Sequence, residues 1–201
     1  MPRLLVVYGT TDGQTAKIAH FLAEEFRTLG STAAAVEAGV AWPNPLDYDG
    51  VVVAASIHRG RYQPSLVRWT RAHASALHQR HTAFLSVCLG ALQRDPATER
   101  DLADIVGRFL ARTGWFPAQQ QQVAGALKYT QYHWLKRALM RWIAKRAGGS
   151  TDNSRDHEYT DWVDLKAFAA AFQVECAAMA SARSVAADSR EGVAPAVAVG
   201  V

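Results

Sequence analysis

Residues 4–15 read LLVVYGTTDGQT, an apolar strand followed by a loop of small residues and the first turn of a helix. The apolar run Leu4–Tyr8 is typical of a central parallel strand, which is buried on both faces. Glycine and hydroxyl residues make up most of the loop, so bulky side chains do not cover its backbone N–H groups. The helix predicted from Gln14 directs its first N–H groups and its dipole into this loop. The stretch predicts a phosphate-binding turn, and an ordinary turn capped by Thr10 or Asp12 is the alternative.

The spacing of the loop argues against two common nucleotide motifs. No lysine follows Gly13 at the spacing of a P-loop, so hydrolysis of a nucleoside triphosphate is disfavoured. The G-x-G-x-x-G pattern of dinucleotide-binding folds is also missing. What remains is a phosphate held by hydroxyls and backbone amides alone, without a divalent metal.

Apolar and amphipathic segments alternate along the chain and predict an α/β fold. Short links between them place parallel strands in one sheet with helices on both faces. Five strands, the first followed by the phosphate loop, fit a flavodoxin-like doubly wound sheet with the order 2-1-3-4-5. The predicted strands are residues 3–8, 32–36, 50–56, 82–89 and 122–127, and the predicted helices are residues 14–29, 65–77, 97–113 and 162–172.

Length and cysteine content limit the class of protein. A chain of 201 residues is expected to form one domain with an appendage. Cys88 and Cys176 lie far apart and give neither a disulfide framework nor the spacing of metal ligands. The first apolar run is too short for a signal peptide, and no apolar stretch is long enough to span a bilayer. These features predict a cytoplasmic protein.

The net charge of +4 conceals a local basic region. Residues 105–151 contain eight of the 22 Lys and Arg residues and no Asp or Glu, so the rest of the chain carries 14 basic against 18 acidic residues. A basic field confined to one segment predicts an anionic partner for that segment. A lipid surface, a nucleic acid and an acidic substrate are the alternatives at this point.

The segment after the fifth strand departs from the alternating pattern. Residues 128–150 predict an added basic amphipathic helix, with Lys136, Arg137 and Arg141 on the side opposite its apolar arc. Two tryptophans on that arc are typical of a helix that lies in the headgroup region of a membrane, whereas packing against the domain is the alternative. The residues predicted to contact the membrane are Trp134, Leu135, Leu139, Trp142 and Ile143.

The remaining sequence divides the chain into a domain and a tail. Residues 1–175 are predicted to form the flavodoxin-like domain, including the added helix. Residues 176–201 are rich in Ala, Ser and Val and contain no aromatic residue. This low-complexity composition predicts a disordered tail.

Three loops are expected to meet at the carboxyl ends of the strands, where sheets of this kind bind ligands. They follow the first, third and fourth strands. Ile57, Tyr62 and Leu89 are candidates for flat apolar contacts to a planar ring, and for Ile57 and Tyr62 the alternative is packing against the following helix. Cys88 is interpreted as a small buried residue rather than a redox thiol.

Several of these motifs together resemble one family. Residues 11–15 resemble the FMN-phosphate loop of flavodoxins, the only motif that ordinary flavodoxins share. Further motifs lie at residues 55–62, 124–134, 148–152 and 159–162. Over residues 3–172 the chain resembles the flavodoxin-like, quinone-dependent protoporphyrinogen IX oxidase (dehydrogenase) family of bacteria. It departs from that family in a less basic loop after the fourth strand and in its tail.

The resemblance implies an FMN enzyme of haem biosynthesis. Such an enzyme oxidises protoporphyrinogen IX to protoporphyrin IX and passes the electrons to a membrane quinone at the inner face of the cell membrane. No side chain is assigned as a catalytic acid or base, because the flavin carries the redox chemistry. The expected FMN-binding residues are Thr10, Thr11, Asp12, Gly13, Gln14, Thr15, Ser56, Ile57, His58, Gly60, Tyr62, Ser86, Leu89 and Gly90.

The substrate of this family carries propionates, which arginine can pair with two parallel hydrogen bonds. Arg59, Arg61 and Lys128 are the predicted partners of these propionates. The alternative for each residue is a solvated basic rim.

Two other functions stay open on the sequence. An electron-carrier flavodoxin would share the phosphate loop, but such carriers are usually acidic and lack the basic helix. A flavin reductase that transfers electrons from NAD(P)H to quinone is the second alternative, although no second nucleotide fingerprint is visible. A nucleic-acid module would explain the basic segment but not the phosphate loop, so no nucleic-acid partner is predicted. The oligomeric state is left open, with a homo-oligomer as one alternative.

Overall fold

The computed structural model describes residues 1–92, 95–127 and 157–191. A five-stranded sheet carries helices on both faces, and a short two-stranded antiparallel sheet follows it. The strands are β1 (Arg3–Gly9), β2 (Thr32–Glu37), β3 (Gly50–Ser56), β4 (His81–Cys88), β5 (Gln119–Ala124), β6 (Ala126–Leu127) and β7 (His157–Glu158). The helices are α1 (Gln14–Thr28), α2 (Pro64–Ala72), α3 (Ala74–Leu77), α4 (Pro96–Thr113) and α5 (Trp162–Glu191).

The order of the strands in the large sheet is β2-β1-β3-β4-β5, and all its pairings are parallel. The flavodoxin-like order predicted from the sequence is therefore confirmed. The order turns back at β1, whose two neighbours are β2 and β3. A crevice forms at such a switch point, outside the carboxyl ends of the strands. Gly9 at the end of β1 is aligned with Ala55 near the end of β3, so the loops after these strands are neighbours.

The two faces of the sheet carry separate apolar layers. Along β1, Leu4 and Val6 are completely buried in a cluster with residues of α1 and α5. Leu5 and Val7 alternate with them and join a second cluster with residues of α2 and α4. Side chains that alternate along a strand point to opposite faces, so a run without polar residues is buried on both sides. This packing holds the loops at the sheet's carboxyl edge on a rigid base.

The fifth strand begins at Gln119 rather than at Gln122, and the end of the predicted strand belongs to β6. Four consecutive glutamines at the start of β5 interrupt the apolar pattern, so the sequence does not indicate where this strand begins. Gln119 Nε2 donates to Glu175 Oε2 (2.6 Å) and Gln121 Nε2 donates to Asp164 Oδ2 (2.5 Å), and both acceptors lie on α5. The glutamines are thus accommodated by a helix that is distant in sequence.

The helix predicted over residues 65–77 is interrupted. His73 has φ −107° and ψ 12°, which ends α2 before α3 begins. Its backbone N–H still donates to the carbonyl of Trp69 (3.1 Å), and its ring lies 4.9 Å from that of Trp69. The interruption lies on the side of the domain away from the carboxyl edge.

The last helix is much longer than predicted. It begins at Trp162, as expected, but ends at Glu191 rather than at Phe172. Residues 176–191, predicted as part of a disordered tail, are helical in the structure. Residues 192–201 lie outside the described part of the chain, and the division into a domain and a tail stays a prediction.

Two contacts explain why this helix continues. Cys176 is completely buried, and a Cβ at Gly50 would overlap its Sγ, so the missing side chain of Gly50 provides the space for it. Farther along, Arg183 donates from Nη2 to Asp49 Oδ1 (3.1 Å). Alanine has the highest helix propensity, so an alanine-rich segment with such anchors favours a helix over a disordered chain.

Among the described residues, no helix has both the length and the apolar character that a membrane span requires. The added basic helix predicted at residues 128–150 lies outside the described residues.

Candidate functional site

The phosphate loop, residues 10–13 between β1 and α1, is closed by a hydrogen bond of its own. Gly13 donates its backbone N–H to Thr10 Oγ1 (3.0 Å). Gly13 also has φ 87°, a left-handed conformation that residues with a Cβ rarely adopt. The Gly13 amide is therefore used within the loop, and the next amides, in the first turn of α1, point towards it.

Thr15 provides the clearest indication of a ligand. Its side chain is completely buried in the first turn of α1. Its Oγ1 forms no hydrogen bond within the part of the chain that the structure describes. A buried hydroxyl without a partner costs about 1–3 kcal/mol, and an anion at the helix N-terminus would accept its hydrogen. The predicted phosphate fits this position.

Gln14 connects the phosphate loop to the far side of the site. Its Nε2 donates to Thr160 Oγ1 (2.9 Å), and that hydroxyl donates to the carbonyl of Ala124 (2.8 Å). The start of α1 is thereby joined to the end of β5 and to the approach to α5. Thr160 was not predicted as a site residue, because its role depends on a contact across 146 positions of sequence.

The loop after β3 forms a tight hairpin turn at the same edge. His58 and Arg61 exchange backbone hydrogen bonds of 2.9 and 3.1 Å. Arg59 and Gly60 between them have φ 51° and 73°, the left-handed pair of a type I′ turn. This turn presents the exposed side chains of Arg59 and Arg61 beside the crevice. Two of the three predicted propionate partners thus lie on one small projection.

Tyr62 and Ser86, both predicted to bind the flavin, are buried in the core. Tyr62 is 7% exposed and its ring packs edge-on against Phe84 and Phe109. Its hydroxyl is 2.8 Å from Ser86 Oγ, and Ser86 is 1% exposed. Burial raises the pKa of Tyr62, so the phenol stays neutral. The Tyr62 ring therefore packs between β4 and α4, and its contact with a flavin stays a prediction. Ile57 is half-buried and packs against the same layer.

The loop after β4 combines backbone donors with a half-buried thiol. Burial raises the pKa of Cys88, and the amides of Gly90 and Ala91 only partly oppose this change. A neutral, half-buried thiol agrees with the interpretation of Cys88 as a packing residue. Gly90 lies in a short 3₁₀ helix that begins at Leu89, whose side chain lies outside the described part of the structure.

Gln63 is a further residue at this edge that the sequence did not indicate. Its Nε2 donates to Thr11 Oγ1 (2.9 Å) in the phosphate loop and to Ser56 Oγ (2.7 Å) at the end of β3. Among the predicted residues of the first loop, Thr11 is exposed, whereas Thr10 and Asp12 are half-buried. No local pattern marks Gln63, because its partners come from two other segments.

The other predicted contact residues lie outside the described part of the chain. They are Lys128 for the substrate and Trp134, Leu135, Leu139, Trp142 and Ile143 for the membrane.

Comparison with known proteins agrees with this architecture. The flavodoxin domain family matches residues 5–154. Among solved structures, a flavodoxin from the domain Archaea superposes with a TM-score of 0.50 at 10% identity, covering 87% of this chain and 98% of that one. The rubredoxin oxygen:oxidoreductase of Desulfovibrio gigas also superposes with a TM-score of 0.50, at 14% identity, covering 88% of this chain and 36% of that one. At these identities the structural likeness concerns the fold alone.

Two curated relatives are closer in sequence. A protein of Escherichia coli K12 named protoporphyrinogen IX dehydrogenase [quinone] is 35% identical over 176 residues, covering 83% of this chain and 92% of that protein. A Leishmania major protein of the same name is 33% identical over 175 residues, covering 85% of this chain and 74% of that protein. With this identity over most of both chains, and with the flavodoxin domain in place, the chain belongs to the protoporphyrinogen IX dehydrogenase [quinone] family of flavodoxin-like oxidoreductases.

Proposed function

We propose that this protein uses FMN to oxidise protoporphyrinogen IX to protoporphyrin IX and passes the electrons to a membrane quinone. The observation that carries the proposal is the 35% identity to the E. coli protein over 92% of that protein's length. The name of that relative gives both the substrate and the acceptor. The site described above supplies independent support for a flavin nucleotide.

Three features of the phosphate loop favour FMN. The buried hydroxyl of Thr15 lacks a hydrogen-bond acceptor among the described residues, and a phosphate would provide one. The left-handed Gly13 allows α1 to begin directly at the loop, so its amides and dipole face an anion. Gln63 and Gln14 hold the loop from both sides with neutral amides, which add no negative charge next to a phosphate.

When bound, the flavin supplies the two-electron redox chemistry. The described side chains are proposed to bind the flavin nucleotide, to orient it and to shield it from water. The loops after β3 and β4 are proposed to meet the ring edge with backbone amides, of which those of Ile57, His58 and Arg61 are already bonded within the chain. The side chains of Tyr62 and Ser86 are bonded to each other in the core. On this proposal no side chain of the protein needs to act as an essential acid or base.

Arg59 and Arg61 are proposed to receive the substrate propionates. Both side chains are exposed on the type I′ turn at the carboxyl edge, so a carboxylate can approach without burying an unpaired charge. We expect Arg59→Ala and Arg61→Ala to raise KM for protoporphyrinogen IX while FMN affinity stays unchanged. Arg112→Ala, in the last turn of α4 at the opposite edge, is the matched control. An unchanged KM in both site variants would contradict the propionate role.

Residues 128–150 are proposed to lie on the anionic inner face of the membrane, where the quinone is available. The support is the sequence alone: residues 105–151 carry eight basic and no acidic residues. Each basic residue near an anionic surface contributes about 1 kcal/mol, so binding should weaken strongly with salt. Sedimentation with anionic and neutral vesicles at low and high salt tests this. Equal binding to both vesicle types would contradict it, and a Lys136→Gln, Arg137→Gln, Arg141→Gln variant should lose the preference.

The central experiment is turnover of the purified protein. FMN should be the flavin released on denaturation, and protoporphyrin fluorescence should increase with protoporphyrinogen IX and a quinone. NADPH with the same quinone serves as the comparison, because a flavin reductase would prefer it. Release of FAD, or turnover with NADPH but not with porphyrinogen, would overturn the proposal. A protein that holds FMN but oxidises neither would be an electron carrier.

A further inference from the structure

Gln63 lies at the N-terminus of α2 but does not cap that helix through its side chain. Its backbone occupies the N-cap position with Pro64 following, and the side chain makes no capping hydrogen bond. Instead the side chain turns towards the carboxyl ends of β1 and β3. A residue in the usual place of a cap is thus used for a different contact.

The amide nitrogen of Gln63 forms a bridge between two loops. Nε2 donates one hydrogen to Thr11 Oγ1 (2.9 Å) and the other to Ser56 Oγ (2.7 Å). Since both hydroxyl oxygens accept from Gln63, the hydroxyl hydrogens point elsewhere and stay available as donors. The bridge therefore fixes the position of Thr11 and also leaves its hydrogen for an anionic ligand.

The opposite side of the same amide shows how closely the bridge is fitted. Oε1 of Gln63 is buried and accepts no hydrogen bond from any described residue. It faces Gly9, where a Cβ would lie 2.9 Å from Oε1 and 3.2 Å from Cβ of Gln63. The missing side chain at Gly9 thus allows the bridge to form. A buried carbonyl without a hydrogen-bond partner lowers the stability of the fold, and here it lies where two ligand loops are joined.

We infer that Gln63 is a positioning residue for flavin-nucleotide binding. It holds the phosphate loop against the loop after β3 before the ligand arrives, and it orients the Thr11 hydroxyl to donate to the phosphate. This inference rests on the proposed function, namely that the loop binds FMN. Gln63 itself acts through Thr11 and Ser56.

The test compares FMN with riboflavin, which has the same ring but no phosphate. Flavin-free protein is titrated with each ligand and the dissociation constant is measured by quenching of flavin fluorescence. Gln63→Met keeps the length of the side chain and removes both donors. We expect FMN binding to weaken about tenfold, as for the loss of one to two hydrogen bonds, while riboflavin binding changes less than about twofold. Gln79→Met is the control, because the Gln79 side chain is exposed and donates to the carbonyl of Ser75 (3.2 Å) in α3, with no contact to either loop among the described residues.

Two further variants address the same bridge by different physical means. Gln63→Glu keeps the shape but offers only acceptors, so the two hydroxyls would turn their hydrogens inward, and it adds a negative charge. It should weaken FMN binding more than Gln63→Met does. Gly9→Ala leaves Gln63 chemically intact and displaces it through the added Cβ. It should reduce the preference for FMN in the same direction, and circular dichroism checks that each variant is folded.

The outcomes separate this inference from the proposed function. If the unmodified protein binds FMN and riboflavin equally, the phosphate assignment fails, and the role of Gln63 fails with it. If the unmodified protein prefers FMN and all three variants keep the same preference, the role of Gln63 alone is overturned. A loss of FMN and riboflavin binding by equal factors would mean that Gln63 supports the whole fold rather than the phosphate loop, and would also overturn the inference.

Discussion

The carboxyl and amino edges of the central sheet are both polar, but their polar groups are used differently. At the amino edge, side chains that are distant in sequence meet within the chain: Arg183 is bonded to Asp49, and His81 Nε2 lies 2.9 Å from Glu175 Oε2 without the alignment of a hydrogen bond. At the carboxyl edge, neutral amides and hydroxyls join the loops, and the hydroxyl of Thr15 stays buried without a partner among the described residues. Buried polar atoms without a described partner occur at both edges, among them Nε1 of Trp115 at the amino edge. The difference is one of place: the Thr15 hydroxyl lies at the N-terminus of α1, where an anion would accept its hydrogen.

If the amino edge serves stability, a larger side chain in its packed core should destabilise the protein without altering the ligand site. Gly50→Ala is expected to have the largest effect of the substitutions considered. Its Cβ would overlap Cys176 and would lie 3.1 Å from Leu4 and 3.2 Å from Phe172. We expect a loss of about 3 kcal/mol in the free energy of unfolding, at the upper end for added volume in a packed core, measured by urea denaturation.

Gly107→Ala is the matched control for this substitution. Gly107 lies within α4, and apart from the backbone of its own helix no described atom lies within 4 Å of its added Cβ. Alanine should therefore stabilise the helix by about 0.5–1 kcal/mol. FMN affinity should be the same in both variants once they are folded. A stable Gly50→Ala protein would show that α5 is not packed against β3 as described.

At the carboxyl edge we expect the opposite pattern, in which a substitution lowers FMN affinity but leaves the stability of the flavin-free protein unchanged or slightly raised. Thr15→Val keeps the shape and removes a hydroxyl that has no partner in the described chain, so the flavin-free protein should be as stable as before or slightly more stable. FMN affinity should fall by about 1.5–3 kcal/mol, the value of a hydrogen bond to a charged group. Calorimetric titration and thermal unfolding measure the two quantities separately.

Thr70→Val tests whether this contrast is specific to the site. The Thr70 hydroxyl is also completely buried without a described partner, but it lies on α2 away from the phosphate loop. It should show the same small change in stability with no change in FMN affinity. If Thr15→Val and the unmodified protein bind FMN with equal affinity, the proposed position of the phosphate next to Thr15 is wrong.

The comparison extends to pH through the buried thiol of the amino edge. Burial, followed by the charges of Asp49 and Glu175, raises the pKa of Cys176 to about 12 from 9.0. A group whose pKa is raised on folding stabilises the protein below its unfolded pKa, and this contribution is lost as pH rises towards the folded pKa. Between pH 9 and 10 the protein should lose about 1 kcal/mol more stability than Cys176→Ala does. If the free energy of unfolding, measured with urea at each pH, falls equally in the two proteins between pH 9 and 10, the prediction is contradicted.

The parts of the molecule predicted from sequence are those with local signals. The strand at Leu4–Tyr8 and the loop after it follow from an apolar run and a set of small residues, and the strand order follows from the alternating rhythm. β5 was misplaced because its glutamines are stabilised by acceptors on α5, which no pattern within the strand reveals. Contacts of this kind decide the position of an element without marking its sequence.

The candidate site shows the same division. Thr10 to Thr15 could be proposed as phosphate-binding residues because the chemistry of phosphate binding is contained in one turn. Gln63 and Thr160 could not, since each acts through partners from other segments. Tyr62 shows the limit of such local patterns, because an aromatic residue in a loop after a strand suits the core as well as a ligand. Its packing against Phe84 and Phe109 is visible only in the structure.

The smallest expected effect concerns the part of α5 that the sequence did not predict. Arg183→Gln removes the 3.1 Å ion pair with Asp49, whose two side chains are 36% and 32% exposed. Partly exposed pairs of this kind contribute about 0.2–1 kcal/mol, so the free energy of unfolding should fall by about 0.5 kcal/mol.

Combining Arg183→Gln with Asp49→Asn in a double-mutant cycle isolates the pair from the separate bond between Asp49 and the Arg3 amide. Glu24→Gln, which loses a more exposed contact to Arg27 at 2.8 Å, is the control and should be close to neutral. Because the pair lies at the amino edge, FMN affinity should not change. A zero coupling energy would mean that helix propensity and the packing of Cys176, rather than this ion pair, hold the second half of α5 in place.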